Sequence, residues 1–348
     1  MAKQARRSKP RPRKPARRTR PRTSARPGLV WATAGALSVA VLAFVAVLVF
    51  GPSERDDTLP RVATNPMPPL ASSVRPTPKA PTAPVTVPQT AALPPAPPEK
   101  PVATWRRHAI PATSAPGQPM IAVVIDDMGL DRARSRRAAA LPAPLTLAYL
   151  AYAEDLATQT ANARTAGHEL LMHVPMEPGG ESADPGPNAV LTGLTAAELD
   201  RRIDWNLSRF SNFVGVNNHM GSKATSDHAA MAAVMSALRD RGLLFLDSRT
   251  SGATVAYAEA KRHGIPALRR DVFLDHDPSP IAVRSALLEV EAVARRQGHA
   301  IAIGHPKDAT IDALAEWLPD VRSRGFALVP VSAVALRMAA GERQTQRP

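Results

Sequence analysis

The chain has no cysteine in 348 residues, which excludes a disulfide framework, a thiolate nucleophile and a thiolate metal site. An exported protein need not use disulfides, so this absence leaves the compartment open. Aromatic residues make up only 4% of the sequence, and none falls in the first 28 positions. That opening stretch has no acid either, yet it holds twelve Lys and Arg, so the net +14 of the chain falls to about +2 outside it. The basic balance is therefore a property of one arm. No nucleic-acid partner is expected, because the remainder is nearly neutral and the arm lacks the interleaved aromatics on which bases stack.

Residues 29–50 contain no charge and no proline for 22 positions. A helix of that length rises about 33 Å, enough for a hydrocarbon core of about 30 Å. The run exceeds the roughly 7 to 15 apolar residues of a cleaved signal peptide and ends on no small-x-small site, so an uncleaved anchor in the lipid bilayer is expected. The basic arm precedes it, and Glu54, Arg55, Asp56 and Asp57 follow. By the positive-inside rule the N-terminus is cytoplasmic, and a single pass through the inner membrane leaves the rest periplasmic or extracytoplasmic. Half of the 36 prolines then lie between Pro52 and Pro119. A Pro/Ala-rich segment of this kind cannot bury a core and reads as a disordered, extended spacer. The expected organisation is a disordered basic arm (1–28), a transmembrane helix (29–50), a linker (51–119), a folded domain (120–340) and a disordered tail (341–348).

From residue 120 the pattern changes. Near-continuous apolar runs at 121–125, 145–150, 169–174, 213–217, 243–246, 272–274, 300–303 and 327–331 look like strands buried on both faces. Amphipathic stretches separate them, one behind a capping box from Thr195 to Glu198 and others over 227–241, 281–297 and 310–324. Strands alternating with helices predict one parallel α/β domain, and seven or eight repeats suit a barrel. Ionisable residues fall where these strands stop: Asp126 and Asp127, His173, His219, Asp247, Asp275 with His276, and His305. In a parallel barrel those ends converge on one face, and together they form a metal-ligand or acid/base set.

The segments carrying these residues are IAVVIDDMG (121–129), HELLMHVPMEP (168–178), GVNNHMGS (215–222), FLDSR (245–249), DVFLDH (271–276) and IAIGHP (301–306). They resemble the divergent branch of the polysaccharide deacetylases over essentially all of 120–335. The resemblance implies an irregular seven- to eight-stranded parallel β/α barrel that uses a divalent metal, zinc above all, to remove acetyl groups from a glycan. It implies Asp126 as base, Asp127 as metal ligand, His173 as a second ligand, His305 as general acid and Asp247 as a supporting acid. The wider superfamily has His-x-x-x-His where this chain has His173 and Glu177, and an Arg-Pro motif where it has Asn217, Asn218 and His219.

Chemistry favours repair of such a site, because His219 enters from the neighbouring strand end and can replace the missing imidazole. Glu177 then reads as a hydrogen-bond partner of His173. Asn218, Ser248, Arg249 and His276 are candidate substrate or supporting groups, with Arg249 also a candidate ion-pair partner for Asp247 and with Asp275 and His276 shaping the rim. Plainer readings stand beside these: Asp126 and Asp127 as helix caps, His173 and His219 as satisfied strand-end groups, His305 as a turn residue before Pro306. His108, His168, His228, His263 and His299 are expected in solvated positions. The function expected is a membrane-anchored hydrolase acting on an acetylated polysaccharide or peptidoglycan-like partner. The alternative is a non-catalytic glycan-binding or envelope-assembly factor that keeps the fold.

Overall fold

The computed structural model describes residues 102–180 and 182–345. The expected basic arm, the 29–50 anchor and residues 51–101 of the linker lie outside the described residues. Among those described, no helix is long and apolar enough to cross a membrane.

The strands are β1 (Met120–Met128), β2 (Thr146–Leu150), β3 (Glu169–Met176), β4 (Gly215–Met220), β5 (Leu244–Asp247), β6 (Ala267–Arg269), β7 (Val272–Phe273), β8 (His299–Gly304) and β9 (Ala327–Leu328). The helices are α1 (Thr104–His108), α2 (Arg132–Ala139), α3 (Leu156–Thr165), α4 (Ala196–Leu207), α5 (His228–Asp240), α6 (Ala256–Arg262), α7 (Pro280–Gln297), α8 (Asp308–Trp317) and α9 (Val331–Thr345). Every strand pairing is parallel, in the order β6-β5-β4-β3-β2-β1-β8-β7, with β9 on the lower part of β1. The two ends of that order, β6 and β7, are consecutive in sequence and separated by two residues. The sheet therefore curls until its edges nearly meet, giving the expected β/α barrel with an unpaired seam.

Strand alternation divides the core in two. Ile121, Val123 and Ile125 face outward and pack with helix residues such as Val234, Leu287 and Leu314. Ala122, Val124, Leu171, Leu246 and Ile303 face inward, and Trp105, Val331 and Val334 close the bottom of that inner cluster. Helix starts follow local chemistry: Thr195, Asp227 and Ser279 each accept the backbone N–H three residues on, and Gly298 ends α7 at φ +82°.

Four expectations need correction. The linker does not run to 119, because Trp105 of α1 is 3% exposed and its backbone N–H donates to Gly242 O at 2.9 Å. A single large apolar side chain inside a Pro-rich stretch is what anchors it. The helix expected over 310–324 stops at Trp317, since Pro319 removes a donor and converts the next turn to a 3₁₀ turn, Leu318–Asp320. The apolar run at 327–331 is split between β9 and the start of α9, and α9 carries the chain to Thr345, into the expected tail. Lastly, the sheet has nine strands where seven to eight are expected, because β6 has too few residues for its alternation to show in sequence.

Candidate metal and catalytic centre

Two adjacent carboxylates on a regular strand would point to opposite faces. Here β1 ends in a break of register between Ile125 and Met128, and Asp127 takes φ +55°, a left-handed conformation uncommon outside glycine. The kink turns both Asp126 and Asp127 into one cavity of about 460 Å³ at the C-terminal ends of the strands. Gly129 closes the kink at φ +108°, where a Cβ would sit 2.6 Å from that of Ala153.

Asp127, His173 and His219 present ligand atoms that all lie within 4.8 Å of one another. Asp127 Oδ1 is 2.8 Å from His219 Nδ1 and 3.3 Å from His173 Nε2, the rings meeting edge to face at 5.1 Å. Neither contact is directed as a hydrogen bond, and this buried oxygen has no hydrogen-bond partner. Two ligands about 2.0–2.1 Å from one tetrahedral ion would be about 3.3 Å apart. An orphaned carboxylate oxygen with two imidazole nitrogens crowded around it fits a divalent cation of the zinc class, with room for a further ligand. Burial opposes ionisation of Asp127, but the two imidazoles outweigh it and hold its carboxyl well below the usual range.

Asn217 joins this triad to the base. Its amide N–H donates to Asp126 Oδ1 at 2.7 Å and, more weakly, to Ser248 Oγ at 3.2 Å; its Oδ1 accepts from His173 Nδ1 at 2.9 Å. With the amide nitrogen committed to a carboxylate, the oxygen must face His173. Nδ1 then carries the proton and Nε2 keeps its lone pair toward Asp127. Asp126 is 3% exposed, and burial raises its pKa against the pull of His173, His305 and the Asn217 hydrogen bond.

Across the cavity, His305 is fixed by Asp275. Its backbone N–H and its Nδ1 meet the two carboxylate oxygens at 2.8 and 2.9 Å, and Thr310 Oγ1 adds a third bond at 2.9 Å. Burial alone would lower the His305 pKa, yet Asp275, Asp127 and Asp126 together raise it. Nε2, 3.8 Å from Asp127 Oδ2, is left facing the cavity.

The sequence-based set is thus mostly assembled. Asp126, Asp127, His173, His219 and His305 converge, and Asn218, Ser248, Arg249 and His276 line the same cavity. Asn218 clamps the 248–250 turn to β4 by accepting from Ser248 N at 2.9 Å and donating to Met220 O at 2.7 Å. Asp247 does not line the cavity. It is 1% exposed and accepts from Arg249 N at 2.8 Å and Thr254 Oγ1 at 3.0 Å, so it shapes the turn and forms no ion pair with the Arg249 guanidinium. Glu177 is not the partner of His173: it accepts from Thr192 N and Oγ1 at 2.6 and 2.7 Å and pairs with Lys223 at 2.7 Å. Asp275, expected at the rim, is a buried support for His305. His168 is not solvated; it is buried, with Nδ1 accepting from Leu145 N at 3.2 Å and Nε2 donating to Ala139 O at 3.0 Å. Asn217 was given no role, and the signal that could have found it is its place two residues before His219, on the same face of β4, and level with His173.

Residues 123–335 match the family model of divergent polysaccharide deacetylases. The chain is 35% identical over 201 residues to an uncharacterised protein of Haemophilus influenzae, covering 58% of this chain and 71% of that one. It is 36% identical over 209 residues to the uncharacterised protein YibQ of Escherichia coli, covering 58% of this chain and 64% of that one. The crystal structure of an uncharacterised protein from Agrobacterium tumefaciens superposes with a TM-score of 0.65 at 31% identity, over 67% of this chain and 95% of that chain. The family match takes in every polar strand end that meets in the cavity, and the chain belongs to the divergent polysaccharide deacetylases.

Proposed function

We propose that this protein is a membrane-anchored, metal-dependent hydrolase that removes acetyl groups from an envelope glycan. The observation that carries the reading is the joint placement of three ligand residues, a buried carboxylate and a carboxylate-supported imidazole around one cavity. Asp127, His173 and His219 would hold the ion. A divalent ion there supplies a Lewis acid that polarises the acetyl carbonyl and acidifies water.

The rest is work for the chain's own side chains. Asp126, held by Asn217, takes a proton from water as its oxygen bonds to the acetyl carbon. His305, its pKa raised by Asp275 and the other cavity carboxylates, gives its Nε2 proton to the departing nitrogen or oxygen as the bond to the acetyl group breaks. Acetate and the freed amine or hydroxyl leave. Buried surroundings strengthen each of these interactions relative to water. The basic arm and the 22 apolar positions of 29–50 support a single-pass anchor in the inner membrane, and the Pro-rich segment supports a domain held off the bilayer in the periplasm, where an acetylated peptidoglycan-like polymer would be in reach.

Asp126→Asn and His305→Ala test the assignment. Neither residue is a ligand, so both variants should bind zinc as wild type does. Each should lose about 10²- to 10⁴-fold in acetate release from acetylated oligosaccharides. Wild-type release that both variants retain would sink the mechanism. A zinc-loaded wild type that releases no acetate from any N- or O-acetylated envelope glycan would turn the reading to a glycan-binding factor.

A further inference from the structure

The two acids of the cavity both come from β1, whereas the wall built from the turn after β5 and the link between β6 and β7 carries Arg249 and Arg270 and no acid. Arg270 is locked in place. Its Nε donates to Ser248 O at 2.6 Å, one Nη2 hydrogen goes to Arg249 O at 2.8 Å, and the guanidinium lies 4.7 Å from the Phe273 ring centroid. Its Nη1 has no hydrogen-bond partner among the described residues. Arg249 stands beside it on a backbone at φ +51°, held by the Asp247 carboxylate, and its one side-chain bond is a long 3.4 Å contact to Arg270 O.

Neither guanidinium has a carboxylate oxygen within 4.0 Å among the described residues. They are close enough to repel: burial and the Arg249 charge lower the Arg270 pKa, and the more distant Asp126 and Asp247 charges offset this only in part. Elsewhere on the domain Arg134, Arg137, Arg202 and Arg324 all sit on carboxylates. Two adjacent like charges with spare donors, Arg270 fixed and neither in contact with a carboxylate, at the wall of the cavity can receive an anion. Arg presents a planar fork that matches a carboxylate.

Building on the deacetylase reading above, we propose that Arg249 and Arg270 form an anion subsite, and that the preferred substrate is an acetylated glycan bearing a carboxylate on or beside the sugar that loses its acetyl group. Asp126 and Asp127 on the facing wall favour a singly charged group over a phosphate dianion. Asp247 and Ser248 then act as positioning residues, the first holding the turn under Arg249 and the second supplying the carbonyl that aims Arg270.

The test uses zinc-loaded protein and two carboxylate-bearing probes, each with its methylamide. One is a peptide-free peptidoglycan tetrasaccharide with lactyl carboxylates; the other is a hyaluronan tetrasaccharide with glucuronates. Wild type should favour at least one acid over its amide by roughly tenfold or more in kcat/KM, mostly through KM. Arg270→Gln and Arg249→Gln should each bring that ratio toward one. Because Arg249 is exposed, its variant stays informative even if loss of the Arg270 backbone contacts prevents folding. Equal turnover of acid and amide with both probes would overturn the subsite and leave the deacetylase reading standing. If no probe releases acetate, the same ratio is read by calorimetric binding to wild type. Acid favoured over amide would then support the subsite while the hydrolase reading fails; equal binding, or none, would overturn the subsite as well.

Discussion

Glu169 at the start of β3 and Asp127 at the end of β1 are both carboxylates inside one barrel, and the fold handles them in opposite ways. Glu169 is 0% exposed and accepts bonds from Ser332 N at 3.0 Å, the Ser332 hydroxyl, Ile110 N at 3.4 Å and Thr146 Oγ1 at 3.5 Å. Its partners come from β2, from the start of α9 and from the segment after α1, so this one group ties the closing elements to the sheet. Asp127 has imidazoles around it and a buried oxygen that no hydrogen bond satisfies. A buried acid with all its partners is structure, and one left short of them on a strained backbone is a site awaiting a ligand. The two ends should therefore separate experimentally, ligand binding failing from the top and folding failing from the bottom.

The largest effect is expected at the top. Asp127→Ala and His219→Ala should each weaken zinc binding far beyond the about 10- to 100-fold typical of an outer-shell loss, while the unfolding midpoint of the metal-free protein moves little. Glu177→Ala should stay within a few-fold of wild type, because Thr192 and Lys223 are its partners. Zinc titration by calorimetry decides this. A site emptied by Glu177→Ala yet left filled by His219→Ala would show that the ligand set is wrong.

At the bottom, Trp105→Ala should cost about 3 kcal/mol or more in denaturant unfolding, the usual range for a buried Trp, with zinc affinity unchanged. A loss under about 1 kcal/mol would mean that α1 is not part of the folded unit.

Glu169 offers a pH signature at the same end. Burial raises its pKa from the ordinary 4.5 to about 7, against its hydrogen bonds and the Arg164 charge. The unfolded chain gives up this proton above about pH 4.5 and the folded chain keeps it until about pH 7. Between these limits the unfolded state binds fewer protons, so stability falls as pH rises, and above pH 7 the effect is flat. At about 1.36 kcal/mol per pH unit the total is of order 3 kcal/mol. In Glu169→Gln this contribution should vanish, leaving the variant the more stable of the two at pH 8 relative to pH 5. Parallel stability curves for the two proteins would remove Glu169 from the account.

Legibility in the sequence followed the same division. The long inward and outward strands announced themselves as apolar runs, and the residues at their ends could be read as one converging set because a parallel barrel sends all those ends one way. What could not be read were contacts made across the barrel. Asp275 looked like rim because nothing in its segment says that His305, thirty positions on, will sit on it. Glu177 looked like a carboxylate supporting His173, but β3 ends at Met176 and the chain beyond it delivers Glu177 to Thr192. His168 looked solvated ahead of its strand, and only its bonds to Ala139 O and Leu145 N, on either side of the loop before β2, show why it is buried.

Asn217 carries the finest test, since it belongs to the metal side and the base side at once. Asn217→Ala removes the acceptor that fixes the His173 tautomer and the donor that holds Asp126; zinc affinity should fall by about 10- to 100-fold with the fold intact. Asn217→Asp separates the two jobs. The new carboxylate still accepts from His173 Nδ1, so zinc should bind nearly as in wild type. It also puts an acceptor where Asp126 needs a donor, so acetate release should drop even in the fully loaded protein. Zinc affinity read by calorimetry beside acetate release read at saturating zinc checks both halves. If Asn217→Asp loses zinc as badly as Asn217→Ala, the amide is serving the packing of β4 against β3 instead of orienting His173. If it keeps both zinc and turnover, the 2.7 Å bond to Asp126 is dispensable and the base is positioned by the β1 kink alone.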